Sequence, residues 1–294
     1  MTEATRGLLL ALFCFSTWGS FPIFFSLLTH IPPTEVLVHR VVWSFIFVAL
    51  ILLFSKQWRR AVAALKNPKL VFALLSSSLL IAINWGVYIW AVGQNRAVDA
   101  SLGYFINPIV AVGLGVIFLK ESLASYQKLA ILIASAGVLY KILGVGEFPW
   151  IALTLAVSFG FYGLVRKQAQ VDTFTGLALE TLLLLPLSLL YWGWLTYSGE
   201  QHFAINSDGL LLICSGVLTA IPLMAFSAAA RRLSLTAIGF LTYLTPTLQL
   251  LSAVFVLGEP FDKGDFVTFA LIWLALIVFS GGAIRERQKL PQSA

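Results

Sequence analysis

The chain is short of charge. Only 11% of its 294 residues are Asp, Glu, Lys or Arg, and 59% are hydrophobic. A soluble domain carries roughly 25% charged residues, so an ordinary solvated surface is excluded and the bilayer is left as the solvent. Cysteine is scarce too. Cys14 and Cys214 are the only two, both inside apolar runs, so there is no disulfide framework and no Cys/His spacing for zinc; they read as small packing residues. HExxH, a nucleophile elbow and a P-loop are all missing. Their absence argues against an enzyme, against ATP hydrolysis within this chain, and against a bound metal or cofactor. The net charge of +6 would suit nucleic acid, but in a membrane chain a basic excess belongs to cytoplasmic loops facing anionic lipid. Membrane lipid, not nucleic acid, is the expected partner. The first apolar run, 8–28, is long for a signal-peptide core and no small-x-small cleavage site follows it.

Long hydrophobic runs are what the chain has instead. Ten can be drawn, at 7–29, 34–55, 70–93, 100–119, 126–144, 149–166, 174–197, 209–231, 236–257 and 265–283. Each is close to the ~20 residues that cross ~30 Å of hydrocarbon. Turn-forming residues separate them, among them Ile31-Pro32-Pro33, Asn67-Pro68, Ser198-Gly199 and Glu259-Pro260. With the N-terminus inside, the cytoplasmic segments hold fifteen Lys and Arg, the outer segments hold three (Arg96, Lys141 and Lys263), and Arg40 falls within a span. The positive-inside bias therefore predicts both termini in the cytoplasm. A cluster at Lys56, Trp58, Arg59 and Arg60 reads as an inner-interface anchor, and 285–294 as a short cytoplasmic tail.

The chain also repeats itself. DASLGYFINPIVAVGLGVIFLKE (99–121) aligns with AIGFLTYLTPTLQLLSAVFVLGE (237–259), which sets Pro108 on Pro246 and Glu121 on Glu259 at an offset of 138. Upstream, Trp18-Gly19 matches Tyr162-Gly163 at an offset of 144. An odd number of spans per half forces the halves into opposite orientations. The expected fold is an all-α integral membrane protein of ten helices, N-in and C-in, with an inverted-topology five-helix repeat at 1–145 and again at 146–284. That architecture is typical of secondary transporters, with the site near the midplane between the halves.

The paired Pro-x12-Glu helices resemble the EamA-type drug/metabolite transporter superfamily. HRVVWSF (39–45), NWGVYIWAV (84–92), ASLGYFINP (100–108), FYGLVRK (161–167) and TFALIWLAL (268–276) are similar to its RarD subfamily, over nearly the whole chain. The resemblance implies a ten-helix bacterial inner-membrane permease, with a central cavity between two bundles, for small organic metabolites or drugs. It does not specify a substrate for this subfamily. A flippase for lipids or lipid-linked precursors is the competing expectation, because fold analogy cannot separate the two.

Candidate site residues follow from what is costly inside a membrane. Charged groups within a span are functional candidates by default. His39 and Arg40 in the second span and Glu180 in the seventh are the coupling candidates, with a proton or another ion as the coupled species. Arg40 and Glu180 lie near opposite ends of the pathway, so a direct pair is disfavoured. The structural alternatives are Arg40 snorkelling outward towards Glu35, and Glu180 either as a protonated acid hydrogen-bonded to a neighbouring helix or in a structural ion pair. Trp18, Asn84, Trp85, Tyr88, Tyr104, Asn107, Tyr162, Tyr243 and Gln249 form the expected substrate pathway, aromatic walls with a few polar groups; interhelical bonding is the alternative for each. Pro108 and Pro246 read as hinges or static kinks. Glu121 and Glu259, at helix C-termini where the dipole disfavours them, are expected to make structural contacts to a neighbouring loop. Oligomeric state stays open.

Overall fold

Elements begin where the sequence caps them. In the computed structural model, which describes residues 2–120, 122–169, 171–233 and 235–289, Asn67, Asp172 and Asn206 each accept a hydrogen bond from the backbone three residues on, at 3.3, 3.0 and 3.0 Å. Such side chains satisfy amides that the first helical turn leaves orphaned. The helices are α1 (Glu3–Gly19), α2 (Phe21–Ser26), α3 (Pro33–Phe54), α4 (Trp58–Leu65), α5 (Pro68–Gly93), α6 (Ala97–Leu119) and α7 (Ser125–Leu143). They continue with α8 (Trp150–Ala169), α9 (Thr173–Ser198), α10 (Ser207–Ala230), α11 (Leu235–Thr242), α12 (Leu244–Leu251), a π-helical turn Ser252–Val256, and α13 (Lys263–Lys289). Among the described residues there is no strand.

Eight helices, counting α1 and α2 as one, are long and apolar enough to cross a membrane. Large apolar side chains stand exposed on their outer faces, Phe54 at 82% and Leu143 at 80% among them, as lipid-facing surfaces require. The protein is thus a multi-pass, all-helical membrane protein. Two of the ten expected spans fall short of that standard. α8 carries Arg166 and Lys167 in its last turn, and the run 236–257 is split into α11, α12 and the π turn, with a break at Tyr243. The tail expected from Arg285 is helical as far as Lys289, continuing α13. The expectation for Glu121 lies outside the described residues.

Packing couples early helices to late ones. α6 and α5 both lie on α8, while α12 and α10 both lie on α1; α3 meets α9, α6 meets α12, and α7 meets α13. The largest core, with Phe25, Val36, Tyr88, Leu155 and Phe269, is filled from both halves of the chain. Two repeat-related backbone positions share a conformation as well. Lys120, the residue that closes α6, and Gly258, just past the π turn, both adopt left-handed φ, at 55° and 70°, and each directly precedes a repeat Glu.

Candidate functional site

α3 and α10 approach so closely that position 216 has no room for a side chain. A Cβ on Gly216 would collide with the backbone of Trp43 and Ser44, and Ser44 Oγ donates to the Gly216 carbonyl at 3.2 Å. Small residues at such crossings are how helices pack in lipid. One turn away, this contact carries the Arg40 side chain across to Thr219, whose hydroxyl accepts from Nε at 2.9 Å. The guanidinium carbon lies 4.2 Å from the Trp85 ring centroid and 5.4 Å from those of Phe21 and Phe25. Arg40 is buried and turned inward. It does not snorkel to Glu35, which instead holds the 199–206 loop by accepting from the His202 backbone at 2.7 Å and meeting its ring at 2.8 Å.

Arg40 faces a cavity of about 190 Å³. Of the residues expected along the pathway, Trp18, Asn84, Trp85, Tyr88, Tyr104, Asn107, Tyr162 and Gln249 line it. Tyr243 does not; it sits in an outward groove with Phe105 and Trp273, because the helix breaks there. Asn84 has no spare donor for a ligand. Its Nδ2 donates to the Leu155 carbonyl at 3.0 Å and to Ser158 at 3.1 Å, and its Oδ1 accepts from Tyr104 at 3.0 Å, so it ties α5 to α8 and fixes the Tyr104 ring. Other polar atoms at the wall are buried without partners among the described residues: Tyr88 Oη, Asn107 Oδ1 and Gln249 Oε1. Unpaired buried polar atoms are costly, and a solute can satisfy them.

The two remaining coupling candidates lie outside the cavity. His39 is fully buried, stacked on Phe203 at 4.9 Å and edge-on to Trp192 at 4.5 Å, with neither ring nitrogen hydrogen-bonded. Glu180 accepts from Ser77 at 2.6 Å and from Tyr162 at 3.3 Å, and pairs with Arg166 Nε at 3.6 Å. It reaches the cavity only through Tyr162. Arg166 overlies Gly176 so tightly that a Cβ there would meet its guanidinium.

The repeat prolines differ in setting. Pro108 stands within the unbroken α6, and Pro246, which lines the cavity, stands in the first turn of α12. Glu259 accepts from the Ala97 and Val98 amides, both at 2.8 Å. It thereby caps the N-terminus of α6, where the dipole welcomes an anion, instead of bonding a loop. Burial pushes its carboxyl up from the usual range, against the pull of those two amides.

Sequence reasoning missed several wall residues: Phe15, Phe159, Ile81, Leu177 and Thr219. The signal for four of them was present. Phe15 and Phe159 are separated by 144, and Ile81 and Thr219 by 138, the same offsets as the repeat. Arg166, counted among the cytoplasmic loop charges, is instead a largely buried partner of Glu180, with its side chain 14% exposed.

Comparison with known proteins agrees with this architecture. The EamA-like transporter family matches residues 5–142 and again residues 149–281. The protein RarD of Escherichia coli (strain K12) is 43% identical over 98% of this chain and 98% of its own. An uncharacterized transporter of Vibrio cholerae is 44% identical, covering 95% of this chain and 93% of its own. The chloramphenicol-sensitive protein RarD of Pseudomonas aeruginosa is 32% identical over 98% of each. One solved crystal structure, 20% identical, superposes with a TM-score of 0.59 over 96% of this chain and 98% of its own, which shows the shared fold.

Proposed function

Because the chain belongs to the EamA-like transporter family, in its RarD subfamily, and is a membrane transporter of the drug/metabolite type, we propose that it carries small organic solutes by alternating access through the central cavity. The observation that carries this reading is the origin of the cavity wall. Repeat-related pairs line it from both halves: Phe15 with Phe159, Trp18 with Tyr162, Ile81 with Thr219, Trp85 with Leu223, Tyr104 with Thr242, and Asn107 with Thr245. The helix contacts obey the same exchange. α6 on α8 becomes α12 on α1, α5 on α8 becomes α10 on α1, and α3/α9, α6/α12 and α7/α13 map onto themselves. The two family matches, at 5–142 and 149–281, fall on the proposed halves. A site on a pseudo-two-fold axis between inverted repeats is what alternating access needs, since exchanging the two half-conformations opens the same site to the opposite side. The positive-inside count supports ten crossings with both ends in the cytoplasm, and the bacterial relatives support a bacterial inner membrane.

Of the two coupling candidates outside the cavity, Glu180 is the one with a route to the solute, through the Tyr162 hydroxyl. The test is uptake into proteoliposomes of labelled amino acids, hydrophobic drugs, aromatic acids and lipid precursors, with and without an imposed pH gradient. Saturable uptake of small solutes is expected, and transport of a lipid precursor alone would hand the protein to the flippase reading. Tyr162→Phe severs the route to Glu180 while leaving the Arg166 pair in place, and is expected to abolish the response to the pH gradient. A full response in that variant rules out coupling by this route.

A further inference from the structure

Among the described residues the cavity wall carries a cation and no anion. Arg40 is the one charged residue lining it there, with neither Asp nor Glu. Among the described residues Arg40 has no carboxylate partner, and Nε is its only nitrogen with a protein acceptor. Its two terminal nitrogens, the face of a guanidinium that binds carboxylates through two parallel bonds, are left without one. A buried cation costs several kcal/mol unless compensated, and rings contribute about 0.5–2 kcal/mol through their π faces. Phe21, Phe25 and Trp85 therefore hold the guanidinium in place and neutralise little of its charge. Tyr88, 2% exposed, adds an unpartnered hydroxyl at the same wall. The rest of the wall is mostly aromatic or aliphatic.

We propose that the solute is a small organic anion, a carboxylate on an apolar or aromatic body, with its negative group on the Arg40 terminal nitrogens. This rests on the cavity being the solute site. The volume suits one ring and a small headgroup: an apolar cavity of ~150 Å³ accepts benzene, and this one is about 190 Å³. A zwitterion is disfavoured relative to the plain acid, because its ammonium group would find neutral acceptors such as the amide oxygens of Asn107 and Gln249, and no carboxylate. A cation of the same skeleton would meet Arg40 head-on.

Isothermal titration calorimetry on the purified full-length protein in detergent tests this without requiring transport. The probes are 3-phenylpropionate, 3-phenylpropanamide, phenylalanine and phenethylamine, together with indole-3-acetate and indole-3-acetamide. Each acid is expected to bind about tenfold or more tightly than its amide, with phenylalanine weaker than 3-phenylpropionate and phenethylamine weakest. Arg40→Gln is expected to erase the acid-to-amide difference, and Arg40→Lys to retain part of it. Equal binding of acid and amide, binding of neither acid, or an undiminished acid preference in Arg40→Gln would each overturn the proposal. The wild-type comparison stands even where a variant folds poorly. Equal binding with flux intact removes the charge selectivity and leaves the transporter reading standing. Acid binding with no flux does the reverse.

Discussion

Arg40 and Glu180 are both buried charges, each the eighth residue of a long helix, and their surroundings are opposites. Glu180 is 1% exposed and has three partners from two neighbouring helices: Ser77, Tyr162 and Arg166. Arg40 is 3% exposed and has one neutral acceptor, Thr219, within a ring of aromatic faces. The first arrangement compensates a charge within the protein. The second holds a charge ready for something that is not part of the protein. Burial alone therefore does not tell what a charge in a membrane chain does; its partners distinguish the two.

Substitutions should separate the two. The largest effect on stability is expected from Glu180→Ala, which strands the Arg166 guanidinium. Breaking a buried pair costs about 3–5 kcal/mol, so the melting temperature in detergent should fall sharply. Adding Arg166→Met should recover part of the loss, and a double variant no more stable than Glu180→Ala would show that the pair is not the reason Glu180 matters. A smaller effect is expected from Gly216→Ala. The added methyl drives α3 off α10, costs about 1–3 kcal/mol as overpacking, and lengthens the Arg40–Thr219 contact. Both stability and affinity for aromatic acids should drop together. Normal affinity in that variant would mean that the α3–α10 crossing does not position Arg40.

The sequence disclosed most of this fold because each helix is a long apolar run bounded by recognisable caps. The expected spans 70–93 and 174–197 lie within two residues of α5, Pro68–Gly93, and α9, Thr173–Ser198. The break at Tyr243 was not legible, since Tyr243 itself is neither a glycine nor a proline and Pro246 reads equally as a kink within one helix. At the site, the pattern of polar and aromatic residues within apolar spans located Tyr104, Asn107 and Trp18 in advance. It could not reveal partners. Whether Glu180 answers Arg40 or Arg166 depends on which helices touch, and FYGLVRK reads as a loop charge until α8 is seen to run through Ala169. The same blindness hid the role of Glu259, whose acceptor geometry depends on α6 starting beside it.

Arg40 meets the solute directly, while Glu180 is balanced within the protein and reaches the cavity only through Tyr162. Saturable uptake of 3-phenylpropionate by proteoliposomes carrying wild-type protein or Arg40→Gln, both checked for an intact melting transition, tests it directly. The expected result is uptake by the wild type and its loss in Arg40→Gln, whose melting temperature is unchanged or raised because an uncompensated buried charge has been removed. Wild-type rates in Arg40→Gln would contradict the account, and so would a variant that melts as early as Glu180→Ala.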